Sequence, residues 1–136
     1  HRILSGHVPA RSGEELLSTL VGRLRNEAIL HAVTGLAAAW ALTRFAAFRI
    51  VTVYLAELPG SDALARLGVR EAAEGANVWL VLPNDHGVFH GADEHGDIRC
   101  VHPVQVHLDL SGHPERAKEA ADELRSRFMN WRRNGQ

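Results

Sequence analysis

Three histidines, His86, His90 and His95, stand with Asp85, Asp93 and Glu94 in one short stretch of the chain. Imidazole and carboxylate groups together hold zinc or another borderline divalent ion, so metal chemistry would sit here if anywhere. The spacing crosses loop signals rather than following one helix face, and no His-Glu-x-x-His pattern occurs. With 9 histidines in 136 residues, such crowding arises without a ligand, and a solvated polar loop is the plain reading. A metal-dependent enzyme or nuclease-like remnant using His86, His90 and His95 is carried as the alternative.

Other chemistries lack their parts. A metal-dependent nuclease needs acidic residues on a strand followed closely by a lysine. Glu57 is followed by Leu58-Pro59, and the only lysine is Lys118, far downstream. Nucleophilic catalysis needs a serine or cysteine beside an oriented base. No Gly-x-Ser-x-Gly turn is present, and no glycine-rich phosphate loop. Asp109 lies in an otherwise apolar run, where a carboxylate caps a helix or pairs with an arginine such as Arg116. No catalytic residue, cofactor or metal is therefore expected. The basic C-terminal stretch Arg125, Arg127, Trp131, Arg132 and Arg133 is the candidate surface for nucleic acid or a partner. Its plain reading is helix-dipole complementation and solubility.

The totals agree with a non-catalytic domain. Lys and Arg number 15 against 16 Asp and Glu, a net charge of −1, which argues against a strongly nucleic-acid-binding module. The single cysteine, Cys100, allows no internal disulfide and reads as a small buried hydrophobe in a reducing, cytoplasmic setting. No apolar run approaches the roughly 20 residues that span a bilayer. The length suits one domain over residues 1–136.

The elements that would carry these groups can be placed from spacing. Arg2 to Val8 reads as a strand. Ser12 and Glu15 form a capping box, after which Leu16, Leu17, Leu20, Val21 and Leu24 share one helical face. Ala28 to Val33 is a short apolar strand, and Thr34 caps a helix whose Leu36–Leu42 run is apolar on every side. Residues 50–55 and 77–82 are the clearest strands. Ser61 caps a short helix closed by Gly68. Residues 87–90 suit a paired segment, 94–97 a turn and 98–101 a strand. Trp40 and Trp79 read as core. From Pro114 onward, Ala117, Ala120, Ala121, Leu124, Phe128 and Trp131 recur at helical spacing and predict an amphipathic helix packed on the domain body. The order predicts an α/β or α+β fold, a mixed sheet flanked by helices. Residues 103–110 conflict: Val104, Val106, Leu108 and Leu110 alternate as in a strand, while Pro103 fits the first position of a helix.

Three segments carry a resemblance. Val101-His102-Pro103-Val104-Gln105-Val106-His107-Leu108-Asp109-Leu110 precedes a short link and Glu119-Ala120-Ala121-Asp122-Glu123-Leu124. Upstream lie Thr34-Gly35-Leu36-Ala37-Ala38 and Gly75-Ala76-Asn77-Val78. In this order, from about Thr34 to Leu124, they resemble the C-terminal domain of AbiEi-type antitoxins of type IV toxin–antitoxin systems. His107 stands where that family often has an aromatic. The resemblance implies a helix at 103–110 and a regulatory domain that neutralises a nucleotidyltransferase-like toxin. It further implies that DNA is read by a separate winged-helix domain in transcriptional autoregulation; no helix-turn-helix pattern occurs here, so that domain is expected upstream of these residues or the chain is a stand-alone relative. A homodimer is compatible with this, and a membrane partner is not expected.

Overall fold

The structure, a computed structural model, describes residues 2–44 and 47–111. Its strands are β1 (Arg2–His7), β2 (His31–Thr34), β3 (Val51–Leu55), β4 (Arg70–Glu71), β5 (Val78–Leu82), β6 (Asp93–His95) and β7 (Ile98–Cys100). The helices are α1 (Gly13–Asn26), α2 (Gly35–Thr43), α3 (Ser61–Leu67) and α4 (Pro103–Leu110). Together they make an α+β fold whose strands form one mixed sheet in the order β4-β1-β5-β3-β2-β7-β6. β3–β5 and β2–β7 are the parallel pairs, and the other neighbours run antiparallel.

The central strand β3 is buried along both faces, as an inner strand covered on each side must be. α1 packs against β3 and α3. All five apolar positions expected on one face of α1 are buried. At about 1.5–3 kcal/mol per fully buried leucine, that stripe is what holds the helix to the sheet. Ser12 Oγ accepts the Glu15 amide at 3.1 Å, closing the expected cap. At the other end Arg23 Nη1 donates to the Leu67 carbonyl at 2.9 Å, locking α1 to the end of α3.

Several local expectations shift. The strand expected over Ala28–Val33 starts only at His31. Ala28 adopts φ +54°, and the Ile29 amide still bonds back to the Leu24 carbonyl, so these residues finish the turn out of α1. Gly60, not Ser61, occupies the cap position of α3. Residues 86–89 form a 3-10 turn instead of a paired segment, because Asp85 Oδ1 accepts the Gly87 amide at 2.6 Å and turns the chain. The expected turn at 94–97 narrows to Gly96-Asp97, with Glu94 and His95 paired in β6. Trp79 is 37% exposed and so is not a core residue. The helix expected from Pro114 lies outside the described residues.

The conflict at 103–110 ends in a helix. His102 Nδ1 accepts the Val104 amide at 3.1 Å, and Pro103 occupies the first turn, where its missing N–H leaves no bond unmade. The alternation that looks like a strand is two i, i+4 pairs: Val106 and Leu110 are buried, whereas Val104 and Leu108 are exposed.

Candidate functional site

Polar residues of two of the resembling segments, Thr34 from one and Gln105 and Asp109 from the other, converge on one polar knot. β2 ends at Thr34 and the chain turns directly into α2 through Gly35, whose φ of +69° is a left-handed conformation that side chains other than glycine disfavour. That turn aims the Thr34 hydroxyl at α4. Thr34 Oγ1 donates to Asp109 Oδ2 at 2.6 Å, so it does not cap α2 as its position suggests. Tyr54, on β3, donates its phenol to the same oxygen at 3.0 Å. Gln105, one turn before Asp109, donates Nε2 to Asp109 Oδ1 at 2.9 Å. Thr34 and Tyr54 are buried, Gln105 and Asp109 half-buried.

The electrostatics fix the roles. Burial raises the Tyr54 pKa well above the ordinary phenol value, and the neighbouring Asp109 carboxylate raises it further. The phenol therefore stays protonated and serves as a donor. Both oxygens of Asp109 accept, and no arginine among the described residues pairs with it. Arg116, the pairing expected from the sequence, lies outside those residues. Hydrogen bonds to a carboxylate are worth about 1.5–3 kcal/mol each, so the knot pins α4 across β2 and β3.

Asn77, from the upstream segment, makes a second clamp. Its Oδ1 accepts the Val8 amide at 2.9 Å and its Nδ2 donates to the Val8 carbonyl at 2.8 Å. The side chain thus substitutes for a neighbouring strand just beyond the end of β1. The sequence marks each of these groups as a polar residue set against apolar neighbours, Thr34 and Asn77 at the edge of an apolar run and Gln105 and Asp109 within one. Their partners, Tyr54 and the Val8 backbone, carry no such mark.

The remaining candidates are dispersed. His86 sits on the 3-10 turn with its ring edge-on to Phe89, centroids 5.7 Å apart. His90 ends that turn, and His95 ends β6 at the hairpin. Among the described residues no three His, Cys, Asp or Glu side chains are grouped to hold an ion, so the structure does not bring His86, His90 and His95 together. Cys100 is buried, and burial pushes its thiol up to about 12. Arg125, Arg127, Trp131, Arg132 and Arg133 lie outside the described residues.

Trp40, expected in the core, is a half-buried wall between two open grooves of about 810 and 580 Å³. The Arg44 guanidinium lies 4.0 Å from its ring centroid, and Phe48 is tilted against it at 5.6 Å. Exposed Arg11 and Arg49 rim the larger groove. Aromatic rings flanked by guanidinium groups suit recognition of a partner.

A family profile described as transcriptional regulator, AbiEi antitoxin, type IV TA system matches residues 14–130. The chain belongs to the AbiEi antitoxin family. The match is wider than the sequence resemblance, since it takes in α1 as well as the Thr34, Gln105 and Asp109 segments. No curated protein and no solved structure matches the chain. No helix among the described residues is long and apolar enough to cross a membrane.

Proposed function

We propose that this AbiEi-family domain acts by recognition rather than turnover. It neutralises a nucleotidyltransferase-like toxin, and a separate winged-helix domain carries the DNA contacts for repression of its own operon. The setting is cytoplasmic. The observation that carries this reading is the knot itself. Thr34, Gln105 and Tyr54 all donate to Asp109, and the first two belong with it to the resembling segments. They hold shape, and they present no aligned acid, base or nucleophile to a substrate. The partner contact is assigned to the basic C-terminal stretch, Arg125, Arg127, Trp131, Arg132 and Arg133.

Co-expression with the toxin encoded beside it is the direct test. Cells carrying the full-length antitoxin should grow, and cells carrying the toxin alone should not. Replacing the four arginines and Trp131 by alanine should abolish protection while the circular dichroism spectrum stays unchanged. Protection that survives this replacement would remove the assigned surface. Toxicity unaffected by the wild-type protein would remove the function. Sedimentation of the antitoxin alone settles whether a homodimer is the active form.

A further inference from the structure

β2 carries a titratable side chain into the core. His31, its first residue, is 5% exposed. The ring meets the Ile29 carbonyl at 2.9 Å through Nδ1, and a carbonyl only accepts, so Nδ1 holds the proton. Nε2 is then a bare acceptor, buried with no partner among the described residues. A second proton, on Nε2, would create a charge and an unmet donor beside two arginines. Arg25 in the last turn of α1 and Arg99 of β7 both bear on the ring, against the one carboxylate of Glu94 on β6. Arg99 Nε is itself buried without an acceptor.

His95 lies on the same face of the sheet as His31. Alternation places His31 with Val33, Val33 pairs with Cys100, and Ile98, on the face of Cys100, pairs with His95. The other elements packed on β2 bring no further charge to that face among the described residues. α2 and β3 contain no charged residue. α4, with His107 and Asp109, lies on the opposite face, where Asp109 takes the Thr34 hydroxyl. His86 of the 3-10 turn sets its ring edge-on to Phe89.

Charge that builds up at His31 is relieved by whichever neighbour yields first. β2 is paired to β3 at all four of its residues, and α1 is anchored by five buried apolar side chains. The β6–β7 hairpin, residues 93–100, is held far less. It meets β2 at a single register pair, Val33 with Cys100, and α1 through the exposed ion pair Arg25–Glu94 at 2.5 Å. A solvent-exposed pair of that kind contributes little. The tip of the hairpin, His95 to Ile98, is one wall of the 580 Å³ groove that α1 lines from Glu14 to Arg25.

We propose that His31 is a proton-operated latch on this wall: when Nε2 takes up a proton, the β6–β7 hairpin separates from α1 and β2 and the groove opens, while the rest of the sheet stays paired. The neutral ring holds the closed form. Burial first, and then Arg25 and Arg99, lower the proton affinity of the closed ring below its ordinary 6.5. Opening restores solvation, so it is favoured as pH falls below that value. One proton is taken up, which limits the rise in the opening constant to about tenfold per pH unit.

Hydrogen exchange of the full chain, read residue by residue by NMR from pH 7.5 to pH 5.0 and corrected for intrinsic rates, tests the latch. Protection of the Val101 amide, which bonds to the Val33 carbonyl at 3.0 Å, should fall by up to about tenfold per unit below pH 6.5. The amides of β3 and β5 should keep theirs. Cys100, buried in β7 and the only cysteine, should react in step with a disulfide reagent that is active in acid. His31→Leu should remove the pH dependence, and His95→Gln should leave it intact. Glu94→Gln should lower protection of the hairpin at every pH with the same slope. Protection that ignores pH, a slope that survives His31→Leu, or a slope lost with His95→Gln would overturn the proposal. So would equal losses in β3 and β5 of the wild type, a comparison that needs no variant to fold, because the ring would then support the whole domain and not one wall.

Discussion

Asp109 is the residue on which most depends. Removing its side chain leaves two buried hydroxyls and one amide without their acceptor, so Asp109→Ala should cost about 2–4 kcal/mol of unfolding free energy, read from urea melts. A loss under about 0.5 kcal/mol would show that the knot is ornamental. Tyr54 gives the same site a pH signature. Its folded pKa is raised, so its contribution is complete below the ordinary phenol value near 10 and declines as pH rises beyond it. Tyr54→Phe should flatten that alkaline decline. His31 works in the other direction. It is buried, its Nδ1 donates to the Ile29 carbonyl at 2.9 Å, and Nε2 has no partner. Burial therefore lowers its pKa from 6.5, and the arginines Arg25 and Arg99 lower it further. The stability this neutral ring supports is present above 6.5 and lost as pH falls below it, while the unfolded chain takes up a proton. Urea midpoints at pH 7.5 and pH 5.5 should differ less in His31→Leu than in the wild type. Cys100 should resist thiol reagents at pH 8 until the chain is unfolded, because its raised pKa and burial leave no accessible thiolate.

The helices show what spacing conveys and what it hides. α1 is legible because a capping serine, an i, i+3, i+4 leucine pattern and a long run all agree. α4 is ambiguous because a short helix with both an inward and an outward apolar pair has the same pattern as a strand, and only Pro103 and the family resemblance separate them. Trp79 misleads for a related reason. Tryptophan marks a core on average, but a strand near a sheet margin exposes whichever face lacks a cover. Glycine substitutions probe these elements with opposite signs. Gly22 lies within α1 with no atom within 4 Å of the position a Cβ would take, so Gly22→Ala should stabilise by about 0.5–1 kcal/mol. Gly35 has room for a methyl but a left-handed φ, so Gly35→Ala should destabilise by about 1–2 kcal/mol. Thermal denaturation of the two variants beside the wild type decides both.

For the whole molecule, near-neutral net charge conceals an uneven distribution, with four arginines among the last twelve residues. If that end meets the toxin, association should weaken several-fold between 50 and 300 mM salt, and the slope should shrink when Arg125, Arg127, Arg132 and Arg133 are replaced by alanine. Calorimetric titration at the two salt concentrations reads this, and a salt-independent affinity would count against the assignment. The mixed sheet with flanking helices was legible from element order. The knot was not, because Thr34, Tyr54 and Asp109 are distant in sequence and only the β2–β3 register, with Thr34 opposite Thr52 and Tyr54 opposite Ala32, puts the first two on one face under α4.

The two outermost strands constrain how anything can attach. Among the described residues β4 is a two-residue segment, Arg70–Glu71, and β6 is Asp93-Glu94-His95, so the backbone rows at both margins of the described sheet are short and carry charge. Such margins are poor templates for an added strand. Edge-to-edge chaining is disfavoured there, and under the proposed function a toxin would read side chains of the domain rather than extend the ladder.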